Sequence, residues 1–182
     1  MMELSQLREI ILLAPSNSMG ADEAGFITRF IVGGLLLSHG ARRDAVVTLI
    51  VDNSACVQFE GNSMRNVRPD EQSLSGILRA GLRRLNGRGR KRIMQGITTF
   101  SGSLEEIIER SKGEKIFYGG VGGRTVRLSQ GFTAVFQYPD LGRQTDDLLQ
   151  KNGFLQVRLG SKDLTPDQAV TILNNMADRS LA

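Results

Sequence analysis

Three stretches of the 182-residue chain carry residue types that can do chemistry. The first is the basic run over 83–92, where six of ten positions are Lys or Arg and glycines lie between them. Cations spaced by glycine suit contacts to phosphate, which supply affinity rather than sequence readout. Arg88 and Arg90 are its candidate nucleic-acid contacts. The alternative is a solvated helix end whose cations complement the helix dipole. That accounts for Arg83 and Arg84 and leaves the loop beyond them unexplained. The second stretch is Gly119-Gly120-Val121-Gly122-Gly123, where missing side chains let a backbone approach a ligand closely. It is neither a dinucleotide fingerprint nor a P-loop. Residues 124–128 read as a strand rather than the required helix, and no Gly-Lys-Ser/Thr follows. The third is Ser38-His39-Gly40-Ala41-Arg42-Arg43-Asp44, between a helix and a strand. From its residues alone it reads either as a site or as a capped helix end with a structural ion pair.

Composition narrows the chemistry. With one cysteine, Cys56, there is no intrachain disulfide and no cysteine cluster for zinc or iron–sulfur. With one histidine, His39, every Ser-His or Cys-His scheme has to pass through that residue, and no metal site is expected. The net charge is +4 and the pI about 9.6, with 18 Arg against 5 Lys. Arg excess suits planar recognition of phosphate, and codon bias is the competing cause. No run reaches the roughly 18 apolar residues of a membrane span. The start of the chain lacks the pattern of a signal peptide. A cytoplasmic location without membrane contact is the expectation.

Strands and helices alternate along the chain. Strands are expected over 9–14, 45–51, 55–59, 98–100, 115–118, 132–137 and 154–159, the second and third forming a hairpin. Helices are expected over 22–39, from Pro69-Asp70 to about 85, over 103–109, over about ten residues ending at 152, and from Thr165 onward. Ser103 with Glu106, and Thr165 with Gln168, have capping-box spacing. The pattern predicts one α/β domain over 1–182, with a mostly parallel sheet and helices on both faces.

The segment Leu36-Leu37-Ser38-His39-Gly40-Ala41-Arg42-Arg43-Asp44 resembles the Leu-Ser-His-x-x-Arg-Arg-Asp signature of the tRNA pseudouridine-54 N1-methyltransferases. The likeness continues through Phe59-Glu60-Gly61 and Val67-Arg68-Pro69-Asp70-Glu71, and resumes over 164–175. It implies a SPOUT-like fold with a C-terminal trefoil knot, an exception to the rule against knots. It also implies a homodimer, tRNA as the RNA partner, and S-adenosylmethionine as cofactor. Three loops, 118–122, 137–142 and 157–164, would hold that cofactor, with contacts at Gly119, Tyr138, Gly142, Arg158, Leu159, Gly160, Leu164 and Ala169. Arg29, His39, Arg42 and Arg43 would hold RNA, and Asp44 and Asp140 are the candidate bases. The chain departs from the family pattern at Asp22-Glu23-Ala24-Gly25, at Tyr138-Pro139-Asp140, at Gly160-Ser161, and at Ala169 in place of a cysteine. These departures keep two alternatives open: an RNA-binding protein without catalysis, and a pseudouridine methyltransferase acting on ribosomal RNA.

Overall fold

The computed structural model describes residues 7–19, 21–85, 89–128 and 131–180. At its centre is β1 (Arg8–Ala14), whose apolar run is buried on both faces. It pairs in parallel with β4 (Ala45–Val51) on one side and β9 (Phe132–Gln137) on the other. Beyond β9 lie β8 (Glu114–Tyr118) and β10 (Leu155–Val157), also parallel. Beyond β4 the sheet turns antiparallel, through β5 (Ala55–Glu60), β7 (Ile97–Ser101) and β6 (Lys91–Met94). The eight strands therefore run β10-β8-β9-β1-β4-β5-β7-β6.

Side-chain alternation splits the sheet into two apolar faces. Ile10, Leu12, Val47, Val57 and Phe136 face α1 (Ala21–Leu35), α2 (Glu71–Arg83) and α5 (Pro166–Arg179). Ile11, Leu13, Ile50, Phe117 and Val135 face α3 (Leu104–Ile108) and α4 (Arg143–Lys151). The two capping boxes read from sequence form, Ser103 with Glu106 on α3 and Thr165 with Gln168 on α5, and Asp70 at the expected start of α2 caps it by accepting from Ser73 N at 2.7 Å.

Three elements differ from expectation. The first helix stops at Leu35, four residues early, because β2 (Leu36–Leu37) folds back on β3 (Gly40–Ala41) as a small antiparallel ribbon. The basic segment after α2 contains an edge strand, β6, whose Ile93 packs beneath Gly81 of α2. Residues 124–128 form no strand; Arg124 alone makes a bridge, to Val157.

Cys56 is fully buried, and its thiol donates to the Gly102 carbonyl at 3.3 Å. Burial pushes the thiol pKa up to about 12. The native protein should therefore resist a maleimide near neutral pH and react only after denaturation. Stoichiometric native labelling, read by mass spectrometry, would contradict that burial.

Candidate functional site

Three of the segments that carry the resemblance, 36–44, 59–61 and 67–71, meet in space. The β2–β3 ribbon extends the end of α1, and residues 61–69 pack beside it. Together they line a cleft of about 750 Å³ that includes Leu36, His39, Arg43, Arg65 and Asn66. The packing depends on Gly61, whose N–H donates to the Ala45 carbonyl at 3.0 Å. A Cβ there would lie 1.9 Å from the Arg42 carbonyl oxygen. His39 and Arg43, both expected to hold RNA, are exposed residues of this cleft. Arg65 and Asn66 were not expected. Their only signal in the sequence is their place between two segments of the signature.

Two other residues of the signature serve a different structure. Arg42 pairs through Nη1 with Asp178 of α5 at 2.8 Å, and Asp44 pairs with Arg8 Nε at 2.9 Å. Arg8 is 2% exposed and also meets Asp178 at 2.7 Å and Asn174 Oδ1 at 3.2 Å. Asn174 in turn donates to the carbonyls of Gly33 at 2.9 Å and Gly34 at 3.2 Å, near the end of α1. Burial opposes ionisation of Asp178, yet hydrogen bonds and charge from Arg8 and Arg42 hold its carboxyl below the usual range. Arg42 and Asp44 thus anchor the ribbon to α5, while Arg43 between them is exposed to the cleft. Arg29, exposed on α1, pairs with Asp167 in the first turn of α5 at 2.8 Å.

The three expected cofactor loops follow β8, β9 and β10, at the carboxyl ends of parallel strands, where open α/β sheets bind ligands. The first and third are fastened together. The Tyr118 hydroxyl accepts from Leu164 N at 2.8 Å and donates to Asp163 at 3.2 Å, and Gln156 Nε2 donates to the Gly119 carbonyl at 3.3 Å. Burial leads the effects that push the Tyr118 hydroxyl above its ordinary pKa. Residues 156–158 are bracketed by Arg124, which donates to the Gln156 carbonyl and accepts from Arg158 N, each at 3.0 Å. In the second loop the Tyr138 ring stacks on Phe26 of α1, with centroids 3.8 Å apart. Asp140 accepts from Gly142 N at 2.8 Å, so its exposed carboxylate closes its own turn.

Backbone is what these loops offer a ligand. Gly142, at φ +83°, has nothing within 4 Å of where a Cβ would lie, and at Gly160 the nearest atom is Lys162 N at 4.0 Å. Both glycines leave the space a side chain would fill, which fits a cofactor held through main-chain groups. Arg158 is exposed and reaches Thr125 at 3.2 Å, and Arg158, Leu159 and Gly160 line a cavity of about 320 Å³ with Met176. Ala169 is fully buried in α5 and belongs to the core.

Arg90 lies elsewhere, over the ring of Phe100 on the α3 side of the sheet. Arg88 is outside the described residues. Among the described residues, no group of three or more His, Cys, Asp or Glu is placed to hold a metal ion.

Known proteins share this fold and align over most of this sequence. The crystal structure of Archaeoglobus fulgidus Nep1 bound to S-adenosylhomocysteine shares the fold, with a TM-score of 0.65 at 13% identity, over 96% of this chain and 98% of that one. Two curated relatives are each named tRNA (pseudouridine(54)-N(1))-methyltransferase. That of Methanococcoides burtonii is 26% identical over 173 residues, covering 89% of this chain and 86% of the relative. That of Haloarcula marismortui is 27% identical over 162 residues, covering 84% and 81%. A family model described as "Putative SAM-dependent RNA methyltransferase" matches residues 20–182. The chain belongs to this family of S-adenosylmethionine-dependent RNA methyltransferases.

Proposed function

We propose that the protein transfers a methyl group to nitrogen 1 of pseudouridine in tRNA. The observation that carries the reading is the convergence of the signature segments on one cleft, with His39, Arg43 and Arg65 on its walls. The names of the relatives support the choice of substrate. S-adenosylmethionine would supply an already electrophilic methyl group, held by the backbone of the loops at Gly119, Gly142, Gly160 and Leu164.

The chain's own task is alignment. Correct placement of two reactants can supply about 7–11 kcal/mol in favourable cases. Arg43 and Arg65 would grip phosphate, and the leucines of the cleft would shield the base from water. Nitrogen 1 must lose a proton, and the surroundings of the two expected bases differ. Asp44 is committed to Arg8 and acts on the ribbon's position, whereas Asp140 closes a loop next to the cofactor glycines. Asp140 is therefore the better placed acceptor of the two.

The remaining expectations belong to the same reading: one domain over 1–182, a homodimer, a trefoil knot and work in the cytoplasm. The bracketing of residues 156–158 between β8 and Arg124 supports the knot. Helix α4 precedes that segment on one face of the sheet, and α5 follows it on the other. No described helix is long and apolar enough to cross a membrane.

Arg43→Ala and Arg65→Ala test the cleft. Each should weaken tRNA binding about tenfold, as loss of a charge-assisted hydrogen bond requires, and lower the salt slope by about one. Affinity for S-adenosylhomocysteine should not change. Filter binding across a salt series reads the first effect and calorimetry the second. Unchanged tRNA affinity in both variants would place the RNA site elsewhere.

A further inference from the structure

A second polar cavity lies on the opposite face of the sheet. It has a volume of about 300 Å³ and is floored by Glu9, Ile11, Thr48 and Gln58 of β1, β4 and β5. Its walls are Arg90 and Phe100 on one side and Ile107 and Arg110 on the other.

Glu9 is the anomaly. It projects from the middle strand of the sheet and is only partly exposed. The Thr133 hydroxyl donates to it at 3.0 Å, and no cation pairs with it among the described residues. Carboxylates half-sunk in a sheet are ordinarily paired with a cation. Burial pushes this carboxyl above its usual range, against the Thr133 hydrogen bond. Such a group is poised for a ligand that brings its own donors.

The wall beside it is preorganised. The Arg90 guanidinium lies 4.0 Å from the centre of the Phe100 ring. Gln58 fixes it there, accepting from Arg90 while donating to Thr48 at 3.2 Å. One face of the guanidinium is covered by Phe100, and the residue as a whole is exposed. Bases stack on arginine planes in this way. Arg92 lies opposite Thr98 on the same sheet face and is exposed, and Arg110 completes a cationic rim.

We propose that this cavity binds a guanine base, stacked on Arg90 with its N1–H and 2-amino group donating to the Glu9 carboxylate. Adenine, cytosine and uracil do not present two adjacent donors on one edge. Arg92 and Arg110 would meet the attached phosphates. The inference extends the RNA-binding reading to a second contact, remote from the nucleotide that is methylated. A guanine nucleotide free in solution offers the same base chemistry.

The test uses the full-length protein and a short uridine-rich RNA with one central guanosine or, in its place, inosine, which lacks the 2-amino group. The guanosine RNA should bind about tenfold more tightly. Glu9→Gln and Arg90→Ala should each abolish that difference while leaving S-adenosylhomocysteine affinity unchanged. Arg90 is exposed, so its variant is informative even if the Glu9 variant folds poorly. A parallel titration with guanosine and adenosine monophosphates separates the sources. Selective binding of the free guanosine nucleotide at the affinity of the RNA assigns the cavity to the nucleotide; weaker binding assigns it to RNA. Equal binding of guanosine and inosine RNA by the parent protein would overturn the proposal, and would leave methyl transfer untouched.

Discussion

Gly123→Ala should loosen the cofactor region by driving two backbone segments apart. Gly123 has φ −81° and ψ 176°, a conformation open to any residue, so the effect is steric and not conformational. A Cβ there would lie 2.3 Å from the Val157 carbonyl carbon, 2.6 Å from its oxygen and 2.7 Å from Arg158 N. These atoms are backbone and cannot rotate away. The loop after β8 must part from the segment after β10, and the hydrogen bonds of Arg124 that bracket 156–158 are lost with it. Overpacking costs about 1–3 kcal/mol, and a backbone obstacle belongs at the upper end. A loss of about 3 kcal/mol corresponds to roughly 6–12 °C in a chain of this size. Affinity for S-adenosylhomocysteine should fall at least about tenfold, because the first and third loops meet at this contact. Thermal melting and calorimetry read the two effects. A variant that melts and binds like the parent would show that the two segments are not held against each other.

Arg8→Met should destabilise the fold by a similar amount through a different cause. The guanidinium is 2% exposed and faces Asp44 and Asp178. Its removal leaves two carboxylates with Arg42 as the remaining cation of the cluster. Breaking a buried pair from one side costs about 3–5 kcal/mol; with both acids at least a third exposed, about 3 kcal/mol is expected. The effect depends on pH with a definite sign. Because Asp178 is held below the usual carboxylate range, its ionised form contributes stability above about pH 4. That contribution is lost as pH falls through the lower folded value. The gap between parent and variant should therefore narrow below about pH 4. Urea unfolding near neutrality and again near pH 3 measures it. A gap that widens in acid would contradict the ion-pair account. The ribbon bearing His39 and Arg43 should also loosen, raising KM for RNA more than it changes affinity for S-adenosylhomocysteine.

These two residues show where the sequence was legible. Strands β1, β4 and β9 are apolar runs with nothing to compete with them, and the capped starts of α2, α3 and α5 have local causes. The edge strand β6 was hidden because Lys91 and Arg92 look like loop, and only the packing of Ile93 under Gly81 reveals it. Leu36 and Leu37 continue the helical apolar pattern, so the pairing with Gly40 and Ala41 that ends α1 was not visible. In the site, spacing located the cleft but could not sort its cations. Arg42 and Arg43 are adjacent and identical in type. One is held by an acid 136 positions away, and the other is exposed in the cleft. Glu9 looked like the first residue of a strand and nothing more, and Arg8 lay just outside the expected strand. Their importance comes from partners that only the folded sheet assembles.

The central claim is methyl transfer to pseudouridine in tRNA. Its most direct test is to incubate the protein with S-adenosylmethionine and two transcripts of one tRNA, identical except that one carries pseudouridine at the target position. Mass spectrometry of the digested nucleosides then reads the product. The account predicts a methylated pseudouridine in the modified transcript alone, dependent on the cofactor and strongly reduced by Arg43→Ala. Tight binding of S-adenosylhomocysteine with no methylated nucleoside in either transcript would contradict it.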